Sequence, residues 1–202
     1  MAITNGYATL AEAKTYLGIT DNVDDTMLES MVEAASRAID SIAGRRFYLD
    51  STATARVYRG VNPYILIVDD IGTTTGLAFA VDTGGDGTFE TVLQLNTDYV
   101  LEPFNAAAMS KPYTQITLVG SQLLPWLLPN LRPCAQVTAR WGFPTVPDDV
   151  AQSCLILTAD MYKRKDSVGG NLGISELGAI RMSPLGRDIA AMVRAYRREV
   201  IA

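Results

Sequence analysis

The chain has 202 residues, of which 48% are hydrophobic and 19% charged, and its formal net charge is −5. This length is enough to bury a core without metal or disulfide cross-links. The negative charge argues against binding a nucleic acid backbone through overall attraction. The absence of histidine excludes serine–histidine and cysteine–histidine nucleophile pairs and the histidine-based zinc motifs, and with them most familiar hydrolases.

The two cysteines give no sign of a metal or redox site. Cys134 and Cys154 lie far apart in the sequence and form no CxxC motif, so we interpret both as buried thiols. Residues 1–6 lack a basic leader and an apolar stretch, and the longest apolar runs are interrupted by aspartate or proline. Neither an export signal nor a membrane span is therefore predicted, and no cofactor is expected.

Two helices are predicted near the N-terminus. Thr9 and Glu12 have the spacing of a capping box, and Gly18 is placed to end the short helix that follows. Carboxylates within 21–25 favour the start of a second helix through its macrodipole, and Gly44 ends it. The apolar residues of the second helix recur at helical spacing: Leu28, Met31, Val32, Ala35, Ile39 and Ile42.

From residue 53 to residue 141 the apolar pattern changes to a period of two, which indicates strands. Clusters of glycine, proline, asparagine and aspartate separate the segments. This arrangement predicts a small antiparallel sheet or barrel. The candidate strands are 54–58, 64–68, 76–81, 89–93, 99–101, 114–119 and 135–141.

A third helix is predicted to begin after Pro147. Val150, Cys154, Leu157 and Met161 form one apolar stripe, so we expect the central buried helix of the protein here. Residues 166–183 show no sustained period and contain several glycines, which is typical of a mobile arm. Ser183 and Pro184 then suit the start of a C-terminal amphipathic helix, with Leu185, Ile189, Met192, Val193, Tyr196 and Val200 on its apolar side.

The predicted fold class is therefore α+β. It comprises a helical core made of two N-terminal helices, a buried third helix and a C-terminal amphipathic helix, with an inserted antiparallel β region. The predicted boundaries are 1–50 for the N-terminal helices, 51–145 for the β region and 146–202 for the remaining core, with 1–50 and 146–202 packing as one helical domain.

Acidic residues in the β region offer one alternative function. Asp82 and Asp86 lie in a glycine-rich segment that partly resembles a calcium loop, but Gly84 and Leu93 stand where that motif needs acids. A hairpin turn is the preferred interpretation. Together with Asp69 and Asp70, these residues define the competing hypothesis of a metal-dependent carboxylate enzyme or calcium-binding module.

Two basic segments contain aromatic residues. One is the segment 45–48, with the sequence RRFY, and the other surrounds Tyr196. Such patches can stack on bases, but arginine and aromatic residues are also enriched in protein interfaces. For an acidic chain, we favour an acidic protein partner over nucleic acid.

Several segments in order resemble one family. They are 9–14 (TLAEAK), 28–40, 44–47 (GRRF), 97–103 (TDYVLEP), 137–143 (VTARWGF), 146–150 (VPDDV) and 162–164 (YKR). Together they resemble the head-to-tail connector, or adaptor, family of tailed bacteriophages. The long strand-rich insertion between the second and third helices distinguishes the chain from shorter members.

The resemblance implies a structural virion protein without enzymatic activity, located in the neck at the head–tail junction and in the host cytoplasm during assembly. It implies a homo-oligomeric ring, expected to be dodecameric, that binds the portal protein and the next neck or tail protein and lets DNA pass without specific binding. Another neck or tail-terminator ring protein remains an alternative. No membrane partner is expected.

The resemblance also implies roles for the C-terminal residues. The segment 184–202 would dock on the portal, and the arm would contact neighbouring subunits and become ordered on binding. The predicted portal interface consists of Leu185, Arg187, Ile189, Met192, Val193, Arg194, Tyr196, Arg197 and Arg198. The predicted inter-subunit arm residues are Gly169, Gly170, Leu172, Ile174 and Leu177.

Overall fold

The structure is a computed structural model that describes residues 2–124, 133–165, 171–175, 178–181 and 186–198, with the backbone alone at 171–175, 178–181 and 186–187. The chain divides into two compact units. A helical unit is formed by Met1–Tyr48 together with Val146–Ala202, and a sheet unit is formed by Leu49–Thr145. None of the described helices has the length and apolar character needed to cross a membrane.

The helical unit contains four helices: α1 (Leu10–Leu17), α2 (Asp25–Ala43), α3 (Asp148–Arg164) and α4 (Gly186–Val193). The predicted capping box is present, since the Thr9 hydroxyl accepts a hydrogen bond from the Glu12 N–H at 3.2 Å and the Glu12 carboxylate accepts one from the Thr9 N–H at 2.7 Å. Gly18 and Gly44 end α1 and α2 in the left-handed conformation, with φ of 71° and 67°.

The core of the helical unit lies between α2 and α3. The α2 residues Leu28, Val32, Ala35 and Ile39 are fully buried. The Ser36 hydroxyl lies 3.4 Å from the Cys154 sulfur, so small side chains let the two helices approach closely. Burial raises the pKa of the Cys154 thiol, which keeps it in the neutral form.

The buried face of α3 differs in part from the predicted stripe. Val150 and Cys154 are buried as expected, but the buried face continues through Thr158 and Ala159, whereas Leu157 and Met161 are partly exposed. Residues 150, 154 and 158 are spaced four apart and lie along the line of contact between α3 and α2. The larger apolar side chains at 157 and 161 follow that line less closely.

The chain after α3 also differs from the prediction. Within 166–183, expected to lack regular structure, β7 (Asn171–Ser175) and β8 (Gly178–Arg181) form an antiparallel hairpin. A two-stranded hairpin does not need one buried face, so its sequence need not show a period of two. The helix predicted from Pro184 onward is present as α4, but it ends at Val193 and is followed by a 3-10 turn, Arg194–Tyr196.

The sheet unit contains six antiparallel strands in the order β1-β6-β2-β5-β4, with β3 pairing with β2. The strands are β1 (Thr54–Tyr58), β2 (Ile65–Val81), β3 (Thr91–Leu93), β4 (Tyr99–Glu102), β5 (Tyr113–Leu118) and β6 (Ala135–Trp141). A short 3-10 turn, Ala107–Met109, precedes β5. The α+β class is confirmed, and the described strands form an open sheet, not a barrel, with β1 and β4 at its edges.

The long strand β2 spans two segments, 64–68 and 76–81, that were predicted from the sequence as separate strands. Its first part pairs with β5, and its second part pairs with β3 and β6. Register shifts occur between these parts. Gly72 lies here, where an added Cβ would be 2.8 Å from the Gly142 carbonyl oxygen, so the backbones approach too closely for a side chain.

The core of the sheet unit is built on the inward faces of β2, β5 and β6, as alternation predicted. Trp141 is fully buried, and its indole N–H donates to the Thr54 carbonyl at 2.9 Å. The Arg56 guanidinium lies 4.4 Å from the indole ring centroid. Phe79 and Tyr99 form an edge-to-face pair with centroids 5.1 Å apart.

Candidate interaction surface

The segment after α2 is anchored by one aromatic side chain. Gly44 turns the chain out of the helix, and Phe47 is fully buried three residues later. Its ring makes edge-to-face contacts with Tyr7 (centroids 5.7 Å apart) and Tyr196 (5.6 Å), and its N–H donates to the Tyr7 hydroxyl at 2.8 Å. Phe47 therefore connects the N-terminal segment, the end of α2 and the C-terminal segment.

The C-terminal segment is also joined to the end of α2 by hydrogen bonds. The Arg45 guanidinium donates to the Tyr196 carbonyl at 3.1 Å, and the Arg198 N–H donates to the Ala43 carbonyl at 3.2 Å. The Tyr196 hydroxyl donates to the Asp149 carboxylate on α3 at 3.3 Å. The two basic segments that contain aromatic residues are thus neighbours in the structure.

Arginine side chains near this point stack on tyrosine rings. The Arg46 guanidinium lies 4.9 Å from the centroid of the Tyr48 ring and donates to the Tyr48 hydroxyl at 2.6 Å. Arg37 lies 4.9 Å from the same ring and 5.6 Å from the ring of Tyr7. These contacts hold the guanidinium planes in fixed orientations.

Burial changes the titration of neighbouring acidic groups. Burial raises the pKa of Asp40, although the hydrogen bond from Tyr7 and the charge of Arg37, whose Nε lies 3.3 Å from Asp40, act in the opposite direction. Burial also raises the pKa of Tyr7. The pKa of Tyr196 is raised by burial and by the nearby Asp149 charge.

We define the arginine–aromatic surface as the residues that gather at this junction outside the buried Phe47. Arg194 and Arg197 are exposed, while Arg45, Arg46 and Arg198 are partly exposed. The surface comprises Arg45, Arg46, Tyr48, Arg194, Tyr196, Arg197 and Arg198.

The predicted portal interface is divided by the structure. Ile189 and Val193 are buried within the helical unit, and the Met192 sulfur lies 3.7 Å from the Ser153 hydroxyl on α3. The apolar stripe of α4 therefore packs on its own chain. Arg194, Tyr196, Arg197 and Arg198 belong to the surface defined above, whereas Leu185 and the side chain of Arg187 lie outside the described residues.

The predicted arm residues are described only in part. Leu172 and Ile174 lie in β7, where the backbone alone is described. Gly169, Gly170 and Leu177 lie outside the described residues. The roles assigned to the arm and to the portal interface remain predictions.

The acidic residues of the competing hypothesis do not form one site. Asp82 is fully buried and accepts hydrogen bonds from the N–H groups of Gly85 (2.6 Å) and Gly87 (2.8 Å), so its carboxylate closes the turn between β2 and β3. Carboxylate oxygens of Asp82, Asp86 and Glu90 lie within 4.8 Å of one another. Glu90 was not identified from the sequence, because its place beside Asp82 depends on the pairing of β2 with β3.

Asp69 and Asp70 are placed differently. The Asp69 carboxylate accepts hydrogen bonds from Arg56 at 2.7 Å and from the Tyr58 hydroxyl at 2.9 Å. Asp70 is buried, on the opposite face of β2. In the described part of the chain, neither belongs to the group of potential metal ligands formed by Asp82 and its neighbours.

Comparison with solved structures shows a shared fold. A chain from a structure titled "Neck of empty GTA particle computed with C6 symmetry" is 20% identical, with a TM-score of 0.58, and the match covers 100% of this chain and 95% of that one. A chain from "Virion of native gene transfer agent (GTA) particle" is 20% identical, with a TM-score of 0.52 and coverage of 96% and 90%. No curated protein matches the sequence.

The family model described as phage gp6-like head-tail connector protein matches residues 7–72. This range contains α1, α2 and the RRFY segment, and it extends into β2. It includes three of the segments on which the sequence resemblance rested. Residues 7–72 are therefore similar to the phage gp6-like head-tail connector family, the kind of family that the sequence segments resemble.

Proposed function

We propose that this protein is a structural adaptor of the neck of a phage-like particle, joining the portal to the tail and located at the head–tail junction. The observation that carries the proposal is the family match over residues 7–72. The fold shared with a chain of a neck particle, over 100% of this chain and 95% of that one, supports it.

We propose that the adaptor assembles as a closed ring of identical subunits. A ring requires head-to-tail contacts between neighbours. The related neck particle was computed with C6 symmetry, and a ring of twelve subunits contains a sixfold axis. The net charge of −5 suits a channel through which DNA slides without being held.

The C-terminal segment is proposed to dock on the portal. Because Ile189 and Val193 are buried on their own subunit, their direct contact with a portal would require α4 to detach. The exposed Arg194 and Arg197 need no such change. The docking contact is therefore expected to involve the arginines, with α4 holding the segment in place.

A pull-down with the portal protein tests this docking. Truncation after Ser183 should abolish capture, and circular dichroism of the truncated protein establishes whether the remaining helices fold. Because truncation also removes Tyr196 from the Phe47 contact, the double variant Arg194→Gln/Arg197→Gln, which leaves that contact intact, is the second arm. Undiminished capture of both variants would contradict the docking assignment.

The neck assignment itself is tested on particles. Cryo-imaging of the purified particle should locate the subunit at the head–tail junction and show a ring of copies there. Absence of the protein from purified particles would overturn the proposed function.

A further inference from the structure

We propose that the β7–β8 hairpin of one subunit adds to the outer edge of β1 in a neighbouring copy, so that the six-stranded sheet continues from one chain into the next. The inference rests on the proposed ring of identical subunits, and it names the contact that joins them. Its two partners are the edge strand β1 (Thr54–Tyr58) and the hairpin formed by β7 (Asn171–Ser175) and β8 (Gly178–Arg181).

The strand β1 presents an open edge. It pairs with β6 along its whole length, and no strand in the described part of the chain lies on its other side. In an antiparallel strand, the N–H and C=O groups of alternate residues point away from the partner strand. The outer edge of β1 therefore presents backbone groups that another strand can pair with.

The other edges of the sheet are less suited to a new strand. β3 (Thr91–Leu93) and β4 (Tyr99–Glu102) are shorter than β1. The Tyr99 carbonyl already accepts a hydrogen bond from the Asn96 N–H at 2.8 Å, and Pro103, which has no N–H, follows β4 directly. Among the described edge strands, β1 is therefore the best site for strand addition.

The side chains of β1 do not protect its edge. Charged and proline residues are the usual means of blocking an edge strand. β1 contains no proline, and its one charged side chain, Arg56, is held by Asp69 at 2.7 Å and by the indole ring of Trp141. Val57 is 50% exposed on this strand. A strand with this character is expected to be covered in the assembled protein.

The hairpin lacks a third strand. β7 and β8 form a separate two-stranded sheet that shares no pairing with the six-stranded one in the described residues. A two-stranded hairpin is marginally stable by itself in water, and a third strand is what stabilises it. In the sequence, β7 carries apolar residues at alternate positions, Leu172 and Ile174, which is the pattern of a strand with one apolar face.

The proposed ring selects a second copy as the partner. Its head-to-tail contacts must join two different surfaces of the same protein. The hairpin and the β1 edge are two such surfaces, and every copy supplies one of each. Around a closed ring, each hairpin then has a third strand and no β1 edge remains free. Main-chain hydrogen bonds supply the affinity in contacts of this kind.

Chemical cross-linking of the full chain tests the contact. Val57→Cys and Ile174→Cys are prepared as two single variants, mixed, and treated with a short bismaleimide. The native Cys134 and Cys154 are buried and should not react with it. We expect a cross-linked dimer of the two variants that becomes more abundant as the protein concentration rises. The double variant distinguishes a contact within one chain, which would appear as a cross-linked monomer at every concentration.

Sedimentation velocity measures the effect of blocking the edge. Val57→Lys should raise the dissociation constant for self-association about tenfold, because the added strand would take water from the lysine ammonium. Val92→Lys is the matched control, since that valine is 60% exposed on the short strand β3 and the change should leave association unaltered. Circular dichroism of both variants establishes that they fold.

Four results would overturn the inference. They are no cross-link between the mixed variants, a cross-link within one chain alone, equal weakening of association by Val57→Lys and Val92→Lys, and, in particles that carry Val57→Cys, a cross-link to a different neck protein.

Failure of the inference is distinct from failure of the proposed function. A protein that forms a ring at the particle neck without this cross-link retains the neck role and loses the strand contact. A protein that forms the cross-link but is absent from purified particles loses the neck role.

Discussion

Replacement of Phe47 by alanine tests whether one ring holds the C-terminal segment against the end of α2. The side chain is fully buried and touches the rings of Tyr7 and Tyr196. Removal of a buried phenylalanine costs about 3–5 kcal/mol, of which edge-to-face pairs account for about 0.5–1.5 kcal/mol each. We therefore expect the free energy of unfolding to fall by about 4 kcal/mol, a large part of the about 5–15 kcal/mol typical of a domain.

Urea denaturation followed by far-UV circular dichroism measures this loss, because the signal is dominated by the helices. Phe104→Ala is the matched control, since that phenylalanine is 70% exposed and its removal should change stability by less than about 0.5 kcal/mol. Trypsin should also cleave Phe47→Ala faster at Arg194 and Arg197 than it cleaves the unmodified protein. A loss of less than about 1 kcal/mol in the free energy of unfolding, or a loss equal to that of the control, would contradict the burial of the Phe47 ring.

Three further outcomes are expected. Asp82→Ala should lower the free energy of unfolding by about 2–3 kcal/mol, because two backbone N–H groups lose a charged acceptor. Added Ca²⁺ should not raise the melting temperature of the unmodified chain. A calcium-dependent rise that disappears in Asp86→Asn would instead support a metal site. Cys134 and Cys154 are 1% and 0% exposed, so a thiol reagent should react with them only after unfolding, and rapid labelling of the native protein would contradict their burial. Burial raises the pKa of Tyr99 from 10.0 to about 12, so the folded state favours the neutral phenol. The contribution of this phenol to stability is complete below pH 10 and is lost as the pH rises towards 12. Denaturation at several pH values measures this loss.

Local rules were sufficient for most of the elements. The capping box at Thr9 and the glycine at position 44 fixed the helix ends because both act within one turn. Alternation located segments of all six strands, and in β2, β4, β5 and β6 it follows the burial of alternate residues against the core. The division of β2 into two predicted strands was wrong, because Gly72 and Gly76 mark irregular pairing within a single strand and the sequence does not distinguish that from a turn.

The interaction surface depends on contacts that span most of the chain. The sequence showed the arginines and aromatics of both segments, but the contact of Phe47 with Tyr196 arises only when the two parts of the helical unit pack together. The same packing covers Ile189 and Val193. An amphipathic pattern shows that one face of a helix is covered, but it does not show whether the covering surface belongs to the same chain or to a partner.

The division of the helical unit between the two ends of the sequence has a consequence for synthesis on the ribosome. The apolar face of α2 has no α3 to cover it until residues 49–145 have emerged, since Cys154 and the rest of α3 follow them in the chain. At about 5–20 residues per second, this delay lasts about 5–20 seconds. During that interval the nascent chain exposes Leu28, Val32 and Ile39 to chaperones and to other nascent copies, and the sheet unit has all its strands only at the end of it, when β6 has emerged.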